Sequence, residues 1–260
     1  MKCAAEKWNE AFILNELIFE TLEDSCKSID DTPIILVKNA LKYPDKVREF
    51  LDNGYWWTNP CVEDTRPGKS FDFGVDIENY FEPLIDNLED FYEADVDPIE
   101  FYANCFNGNM NLFSQMSYLP HVDTFPGDFT NRNPRNDIAF NINLTKSDKV
   151  KTAFYSFNGK RSVCDFTAND YGDLKKVTKK QKSKIFNMKW RESGENEYEN
   201  YKLEYVADID YNSMILYPSH YWHNSYIKED WFIDEDRITL TGFFETIVPK
   251  VKKTKKLGFG

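Results

Sequence analysis

The pattern of hydrophobic and polar positions divides the chain into a helical first part and a strand-rich second part. Apolar side chains recur every three or four positions over Ile77–Tyr92, which predicts an amphipathic helix with a kink or a late start at Pro83. Shorter signals predict a buried strand at Pro33–Val37 and a helix at Tyr43–Leu51. Residues Ala11–Leu22 mix both periods and fit either helix or strand.

From Phe101 onward, short β-branched and aromatic runs alternate with turn residues, which is typical of antiparallel sheets. The first two runs flank Asn107-Gly108-Asn109 and predict a hairpin. The predicted strands cover 101–106, 111–118, 138–144, 152–157, 203–206, 213–217, 224–227 and 237–245. Residues Asn59–Gly74 are predicted to be loop, and the polar, lysine-rich Tyr171–Asn200 an insertion or mobile lid. The order of elements predicts a mainly β, α+β domain with one sheet packed on another.

Composition supports a single folded domain. Hydrophobic residues make up 41% of the 260 residues and aromatic residues 16%, enough for a large core. We predict one domain over residues 1–249, with a helical part to about residue 98 and a β core over about 99–249. Residues 250–260 form a basic tail that is expected to be flexible.

The formal net charge of −12 argues against general nucleic-acid binding, because phosphate backbones require clustered basic side chains. Lys175–Lys184 and Lys250–Lys256 are local exceptions, interpreted as a solvated loop and a solvated end. The five cysteines are scattered and form no CxxC pair, which indicates reduced thiols in a cytosolic compartment. No apolar run is long enough for a signal peptide or a membrane span, so a cytoplasmic location is expected.

The candidate chemistry centres on His121 and Asp123. Side chains two positions apart in an extended strand point to the same face, so the imidazole and the carboxylate converge. They supply two corners of a 2-His-1-carboxylate iron site. The chain has only three histidines, and the third ligand must therefore be His220 or His223.

Arg237 begins an alternating run in which Arg237, Thr239 and Thr241 share one face. If that face lines the interior, a buried guanidinium requires a carboxylate partner, and a dicarboxylate cosubstrate could provide it. The alternative is pairing with the preceding acidic residues Asp234–Asp236, or a solvated position at a sheet edge.

In order along the chain, the motifs Tyr118-x-Pro120-His121-x-Asp123, Pro218-Ser219-x-x-x-His223 and Arg237-x-Thr239 resemble Fe(II)/2-oxoglutarate-dependent dioxygenases, nearest to the prolyl-4-hydroxylase-like branch. The resemblance implies a double-stranded β-helix of the jelly-roll or cupin-like kind, with N-terminal helices packed outside. It also implies that His121, Asp123 and His223, rather than His220, bind iron. Arg237 would bind the distal carboxylate of 2-oxoglutarate with help from Thr239, and Tyr118 would line the pocket.

The implied reaction hydroxylates a peptidyl residue, with proline as one candidate, or a small molecule, using O2 and releasing succinate and CO2. Many prolyl hydroxylases have Lys where Arg237 stands, and the family's paired glycines are replaced by Val150-Lys151. Alternative hypotheses are a metal-binding β-helix without turnover, acting as a sensor or structural module, and an interaction domain without metal. Substrate identity would depend on loops at Gly127–Arg135 and Tyr171–Asn200, and the sequence does not define an oligomeric state.

Overall fold

The fold is taken from a computed structural model, which describes residues 4–22, 32–53, 57–58, 69–72, 78–107, 120–123, 137–185, 200–228 and 231–247. The helices within these ranges are α1 (Ala4–Ala11), α2 (Pro44–Asp52), α3 (Glu78–Tyr92) and α4 (Ala168–Ile185). The strands are β1 (Phe19–Thr21), β2 (Ile35–Val37), β3 (Trp57–Thr58), β4 (Lys69–Asp72), β5 (Asp95–Phe106), β6 (Asp137–Asn143), β7 (Lys151–Phe157), β8 (Tyr201–Asp208), β9 (Met214–Pro218), β10 (His223–Ser225) and β11 (Arg237–Ile247).

The strands form two antiparallel sheets. The large sheet has the order β1-β2-β9-β6-β11-β5-β4-β3, and the small sheet has the order β10-β7-β8. At the centre of the large sheet, β11 pairs with β5 along its whole length and with β6 over seven residues. Ile99 has no partner between the pairs Glu100–Phe243 and Pro98–Phe244, so a bulge accommodates the proline.

Alternating side chains give the large sheet two different faces. Phe140, Leu240 and Phe244 lie on the face that packs against the helices. Helices α1, α2 and α3 cover this face together with Phe12, which follows α1 directly; the helices contribute Trp8, Val47, Leu51, Phe81, Leu84 and Leu88. Each helix contributes apolar residues at three- or four-residue spacing, which explains why these segments are helical and why they lie on the outside of the sheet.

The other face of the large sheet packs against the small sheet. Ala139, Ile215 and Tyr217 from the large sheet meet Phe154 and Ala207 from the small one. The outer face of the small sheet is covered by α4, whose buried Val177 belongs to the same cluster as Tyr155 and Trp222. The molecule therefore has four layers: helices, large sheet, small sheet and α4.

From β5 onward the chain passes repeatedly between the two sheets. After β5 in the large sheet, His121 forms an isolated antiparallel bridge with His223 at the free edge of β10. The chain then enters the large sheet as β6 and the small sheet as β7 and β8. It returns to the large sheet as β9, crosses to the small one as β10 and ends in the large one as β11. This alternation brings the 120–123 segment and β10 side by side.

Several predictions about individual elements are confirmed. Strand β2 lies within Pro33–Val37, and α2 begins at Pro44, whose missing N–H is harmless in the first turn. The ambiguous N-terminal stretch contains both structures, because α1 ends at Ala11 and β1 begins at Phe19. Helix α3 starts five residues before Pro83, so the proline does not mark its beginning.

Other predictions are wrong. Strand β4 lies inside the predicted loop, and β4 and β11 occupy both edges of β5 at residues 102–105. The second half of the predicted hairpin, residues 111–118, lies outside the described part of the chain. The first half of the predicted insertion is α4, where Tyr171, Leu174 and Val177 pack inward at every third position.

The boundary predicted near residue 98 falls within β5, and β1 to β4 extend the same large sheet. The loop Gly127–Arg135, most of Asn59–Gly74, residues 186–199 and the basic tail lie outside the described ranges. Within those ranges, no helix is long and apolar enough to cross a membrane.

Candidate metal centre

His121, Asp123 and His223 converge on one point between the sheets. Their ligand atoms all lie within 4.8 Å of one another. The Asp123 carboxylate lies between the two imidazoles, with Oδ1 3.9 Å from His121 Nε2 and Oδ2 3.3 Å from His223 Nε2. The His223 side chain is 6% exposed, whereas those of His121 and Asp123 are 25% and 21% exposed. Solvent therefore reaches the group from the side of His121 and Asp123.

Backbone pairing explains this convergence. His121 N–H donates to His223 O at 2.9 Å, and His223 N–H donates to His121 O at 2.8 Å. Two residues that exchange both hydrogen bonds in an antiparallel pair place their side chains on the same face, and the ring centroids are 4.6 Å apart. Asp123 follows two positions later, and its N–H donates to Ser219 O at 2.9 Å.

One hydrogen bond determines which nitrogen of His223 can bind a metal. Nδ1 lies 2.8 Å from the carbonyl oxygen of Tyr221, and since a carbonyl only accepts, Nδ1 carries the proton. The Nε2 lone pair of the neutral ring then faces Asp123 and the centre. Burial lowers the pKa of His223, but the Asp123 charge, its hydrogen bond and the Tyr221 carbonyl outweigh burial, and the pKa is raised.

His220, the alternative histidine, lies elsewhere. Its Nδ1 is 2.8 Å from Ser162 Oγ, its side chain is buried, and its ring meets that of Tyr221 edge to face. Among the described residues, the candidate metal cluster contains His223 and not His220. The neighbouring Trp222 points to the opposite face, where it packs against the rings of Phe157 and Tyr201 as ordinary core.

Arg237, Thr239 and Thr241 are all buried, with 5%, 2% and 6% of their surface exposed. Their register partners include Phe106, Asn104 and Asn141, so they share the face that packs toward the small sheet. Among the nearby acidic residues, Asp236 accepts a hydrogen bond from Asn107 Nδ2 at 2.8 Å. The alternating polar face predicted from the sequence therefore lines the interior. Tyr118 lies outside the described residues.

Tyr217 is influenced by the charges of both Arg237 and Asp123, one of the three clustered residues. Its ring centroid is 4.7 Å from that of His223, and its hydroxyl accepts a hydrogen bond from Asn141 Nδ2 at 2.9 Å. Burial raises the pKa of Tyr217 well above its ordinary value; the Asp123 charge raises it further and the Arg237 charge opposes the rise. Tyr217 therefore lies within electrostatic reach of both Asp123 and Arg237.

A chain of hydrogen bonds extends from Tyr217 across three neighbouring strands. Asn104 Nδ2 donates to Thr241 Oγ1 at 3.1 Å, and Thr241 Oγ1 donates to Asn141 Oδ1 at 2.6 Å. Sequence reasoning missed Tyr217, Asn104 and Asn141. A signal was available in Asp137–Asn143, where asparagines alternate with Ile and Phe, as expected of a strand with one polar interior face.

The interval between His223 and Arg237 contributes aromatic side chains to the core. Trp231 is half-buried and packs against the intersheet cluster. Phe232 is buried, meets Phe106 edge to face at 6.1 Å, and has a φ of +58°. A bulky residue rarely adopts such a backbone conformation, so packing holds Phe232 there.

No protein-family model and no curated protein sequence matches the chain. Solved structures with a similar outline include the non-heme alpha-ketoglutarate-dependent epimerase SnoN from nogalamycin biosynthesis (9% identity, 87% of this chain and 86% of that one, TM-score 0.47). HygX from Streptomyces hygroscopicus, with nickel and 2-oxoglutarate bound, is 10% identical over 83% of this chain and 84% of its own (TM-score 0.48).

An N-substituted L-amino acid dioxygenase from Burkholderia ambifaria AMMD is 10% identical over 82% of this chain and 85% of that one, with a TM-score of 0.41. All three identities are at or below 10% and all three TM-scores are below 0.5.

Proposed function

We propose that this chain is an Fe(II)- and 2-oxoglutarate-dependent oxygenase. The observation that carries the proposal is the convergence of His121, Asp123 and His223 within 4.8 Å. Two imidazoles and one carboxylate on one side of a metal leave positions for a cosubstrate and O2, and this donor set is typical of non-heme Fe(II) oxygenases. The hydrogen bond from His223 Nδ1 to Tyr221 O supports metal binding, because it leaves Nε2 free to coordinate.

In this proposal Arg237 binds the distal carboxylate of 2-oxoglutarate, and Thr239 on the same strand face assists it. A buried guanidinium is stable only with an anion or several acceptors around it, and a carboxylate fits its planar donors. Tyr217 contacts the ring of His223 and lies within electrostatic reach of Arg237, so its side chain would lie near the proposed cosubstrate. Tyr118 stays a proposed pocket residue.

With iron and 2-oxoglutarate bound, the centre would use O2 to oxidise a substrate C–H bond, with succinate and CO2 as co-products. The residues around the centre would hold these groups in place and exclude water from them. Phe154 packs against Tyr217 at 5.2 Å and faces His223, so apolar rings cover the inner side of the centre and exclude water. The half-exposed His121 and Asp123 leave the opposite side open for substrate entry.

The passage of the chain between two antiparallel sheets supports a double-stranded β-helix. Under this assignment the large-sheet strands are β5, β11, β6 and β9, and the small-sheet strands are the 120–123 segment, β10, β7 and β8. The metal ligands then lie at adjacent strands of the small sheet, and Arg237 lies at the start of a central strand of the large one.

The proposed substrate is a peptidyl residue, with proline as one candidate, or a small molecule. Arg237 distinguishes this chain from the many prolyl hydroxylases that have Lys there, so the prolyl-4-hydroxylase-like branch is one option among several. The acidic charge of −12 favours a neutral or basic partner and disfavours nucleic acid in general.

Metal analysis and a turnover assay test the proposal. Purified protein should bind one Fe(II), Ni(II) or Co(II) per chain and convert 2-oxoglutarate to succinate in the presence of Fe(II) and O2. His121→Ala and Asp123→Ala should abolish both properties, whereas His220→Asn should keep the metal stoichiometry, since His220 contacts Ser162 instead of the centre. Metal binding without any 2-oxoglutarate consumption would favour the non-catalytic alternative, and full activity of His121→Ala would refute the ligand assignment.

A further inference from the structure

The turn between β9 and β10 holds two of the three candidate ligands through its own carbonyl groups. Pro218 O accepts from Tyr221 N–H at 3.0 Å, which closes a β-turn with Ser219 and His220 at its centre. Ser219 O accepts from Asp123 N–H at 2.9 Å. Tyr221 O accepts from His223 Nδ1–H at 2.8 Å. A rotation of this turn would therefore displace Asp123 and reorient His223 together.

A side-chain hydrogen bond from the turn ties it to the small-sheet side of the molecule. His220 Nδ1 and Ser162 Oγ lie 2.8 Å apart, and both residues are 3% exposed. The same serine oxygen accepts from Cys164 N–H at 3.0 Å at the start of the short 3-10 helix Val163–Asp165. Because Ser162 is itself fixed by this contact, it is a rigid anchor for His220.

Backbone bonds on either side of His220 reinforce the same connection. Val163 N–H donates to His220 O at 3.1 Å, and Trp222 N–H donates to Arg161 O at 3.1 Å. Ser162 and Tyr221 form an antiparallel bridge between these bonds. The side-chain contact thus adds a link that depends on residue type at the centre of the turn, beside the Arg161 guanidinium that lies 5.6 Å from the centroid of the Tyr221 ring.

We propose that His220 is a positioning residue for the metal centre, acting through its bond to Ser162 on the turn whose carbonyls hold Asp123 and His223. This inference rests on the proposed function, because it assigns a role toward the metal of that centre. His220 contacts neither metal nor substrate. Its role is to keep His223 in the Nδ1–H tautomer, with Nε2 directed at the centre.

Residues that orient a metal ligand typically change metal affinity by roughly 10–100-fold when removed. His220→Leu should therefore weaken Co(II) or Ni(II) binding by about that factor, and Ser162→Ala should act in the same direction. His220→Asn should restore most of the affinity, since an asparagine side chain can offer a hydrogen-bonding atom close to the position of Nδ1.

Tyr221→Phe provides a matched control within the same turn. It removes one hydrogen bond, from the Tyr221 hydroxyl to Thr32 O at 3.2 Å, and leaves the Tyr221 carbonyl in place. The residue is as buried as His220, but the lost bond leads away from the metal ligands. Metal affinity should stay at the wild-type value in this variant even if its melting temperature falls.

The experiment measures Co(II) affinity by competition with a fluorescent chelator, and the ring-nitrogen NMR signals of His223 in the metal-free full-length protein. Expected results are weaker binding and loss of the single Nδ1–H tautomer in His220→Leu and Ser162→Ala, with rescue in His220→Asn. Wild-type affinity and an unchanged His223 tautomer in His220→Leu would overturn the inference, as would equal weakening by Tyr221→Phe. Wild-type protein that binds Co(II) as expected but never consumes 2-oxoglutarate would refute the proposed function and leave this inference standing.

Discussion

Replacing Thr241 with valine tests the buried hydrogen-bond chain behind Tyr217. The hydroxyl is the link between Asn104 Nδ2 and Asn141 Oδ1, at 3.1 Å and 2.6 Å, and Thr241 is 6% exposed. Valine has a similar shape but neither donates nor accepts, so one amide N–H and one amide oxygen lose this partner. Each unsatisfied buried group costs about 1–3 kcal/mol, and the pair should lower the free energy of unfolding by about 2–4 kcal/mol.

The measurement is guanidinium or thermal unfolding of wild type and Thr241→Val without ligands. A loss of this size should lower the melting temperature of a domain this large by roughly 5–15 °C. Thr239→Val is the matched control: Thr239 lies on the same strand and face at 2% exposure, and its hydroxyl bonds to none of the other described residues. Equal unfolding midpoints for the two variants would refute the reasoning, because the chain of bonds would then contribute nothing.

Arg237→Ala should weaken 2-oxoglutarate binding by about two orders of magnitude or more while leaving Co(II) affinity intact, as titration calorimetry can show; unchanged 2-oxoglutarate affinity would remove Arg237 from the site. Gly242→Ala should lower the free energy of unfolding by at least about 1–3 kcal/mol, because the new Cβ would lie 2.3 Å from Phe140 Cε1 and 2.9 Å from Glu100 O; wild-type stability would contradict that packing. Metal affinity should begin to fall as the pH is lowered through a value above 6.5, the ordinary pKa of histidine. Burial alone lowers the pKa of His223, but Asp123 and the Tyr221 carbonyl outweigh burial and raise it, and the proton then competes with the metal for Nε2. In the metal-free protein, the ion pair between protonated His223 and Asp123 should add stability that is fully present below pH 6.5 and is lost as the pH rises through the raised pKa of His223. Measurements of Ni(II) affinity and of unfolding free energy against pH check the directions of both trends.

The parts of the site that follow from strand geometry could be predicted from the sequence. The two-residue spacing of His121 and Asp123, and the alternation from Arg237 to Thr241, depend only on side chains pointing to opposite faces in turn. That His223 lies beside His121 could not be derived this way, because pairing between distant strands is a tertiary property. It was expected only from the resemblance of the motifs.

Other elements were missed because their cause is not local. The carbonyls of Ser219 and Tyr221 hold two candidate ligands, yet a backbone oxygen is present in every residue and carries no sequence signal. The sequence predicts an insertion or mobile lid where α4 lies, because its lysines obscure a narrow apolar stripe that packs against the small sheet. Phe232 is buried and has a positive φ, and the polar residues shortly before it in the sequence give no signal of either property.

The bridge between His121 and His223 places the candidate metal centre at the point where a long loop closes. The two residues are about a hundred positions apart, and bringing such ends together costs about 4 kcal/mol of chain entropy. Within the described residues, this edge of the small sheet is joined by two reciprocal backbone hydrogen bonds and the bond from Asp123 to Ser219. A metal bound by His121, Asp123 and His223 would cross-link both ends of that loop. Loading that ion would then be a late folding step. Removing it with a chelator should loosen the 120–123 edge before the large sheet, an order that hydrogen exchange can follow.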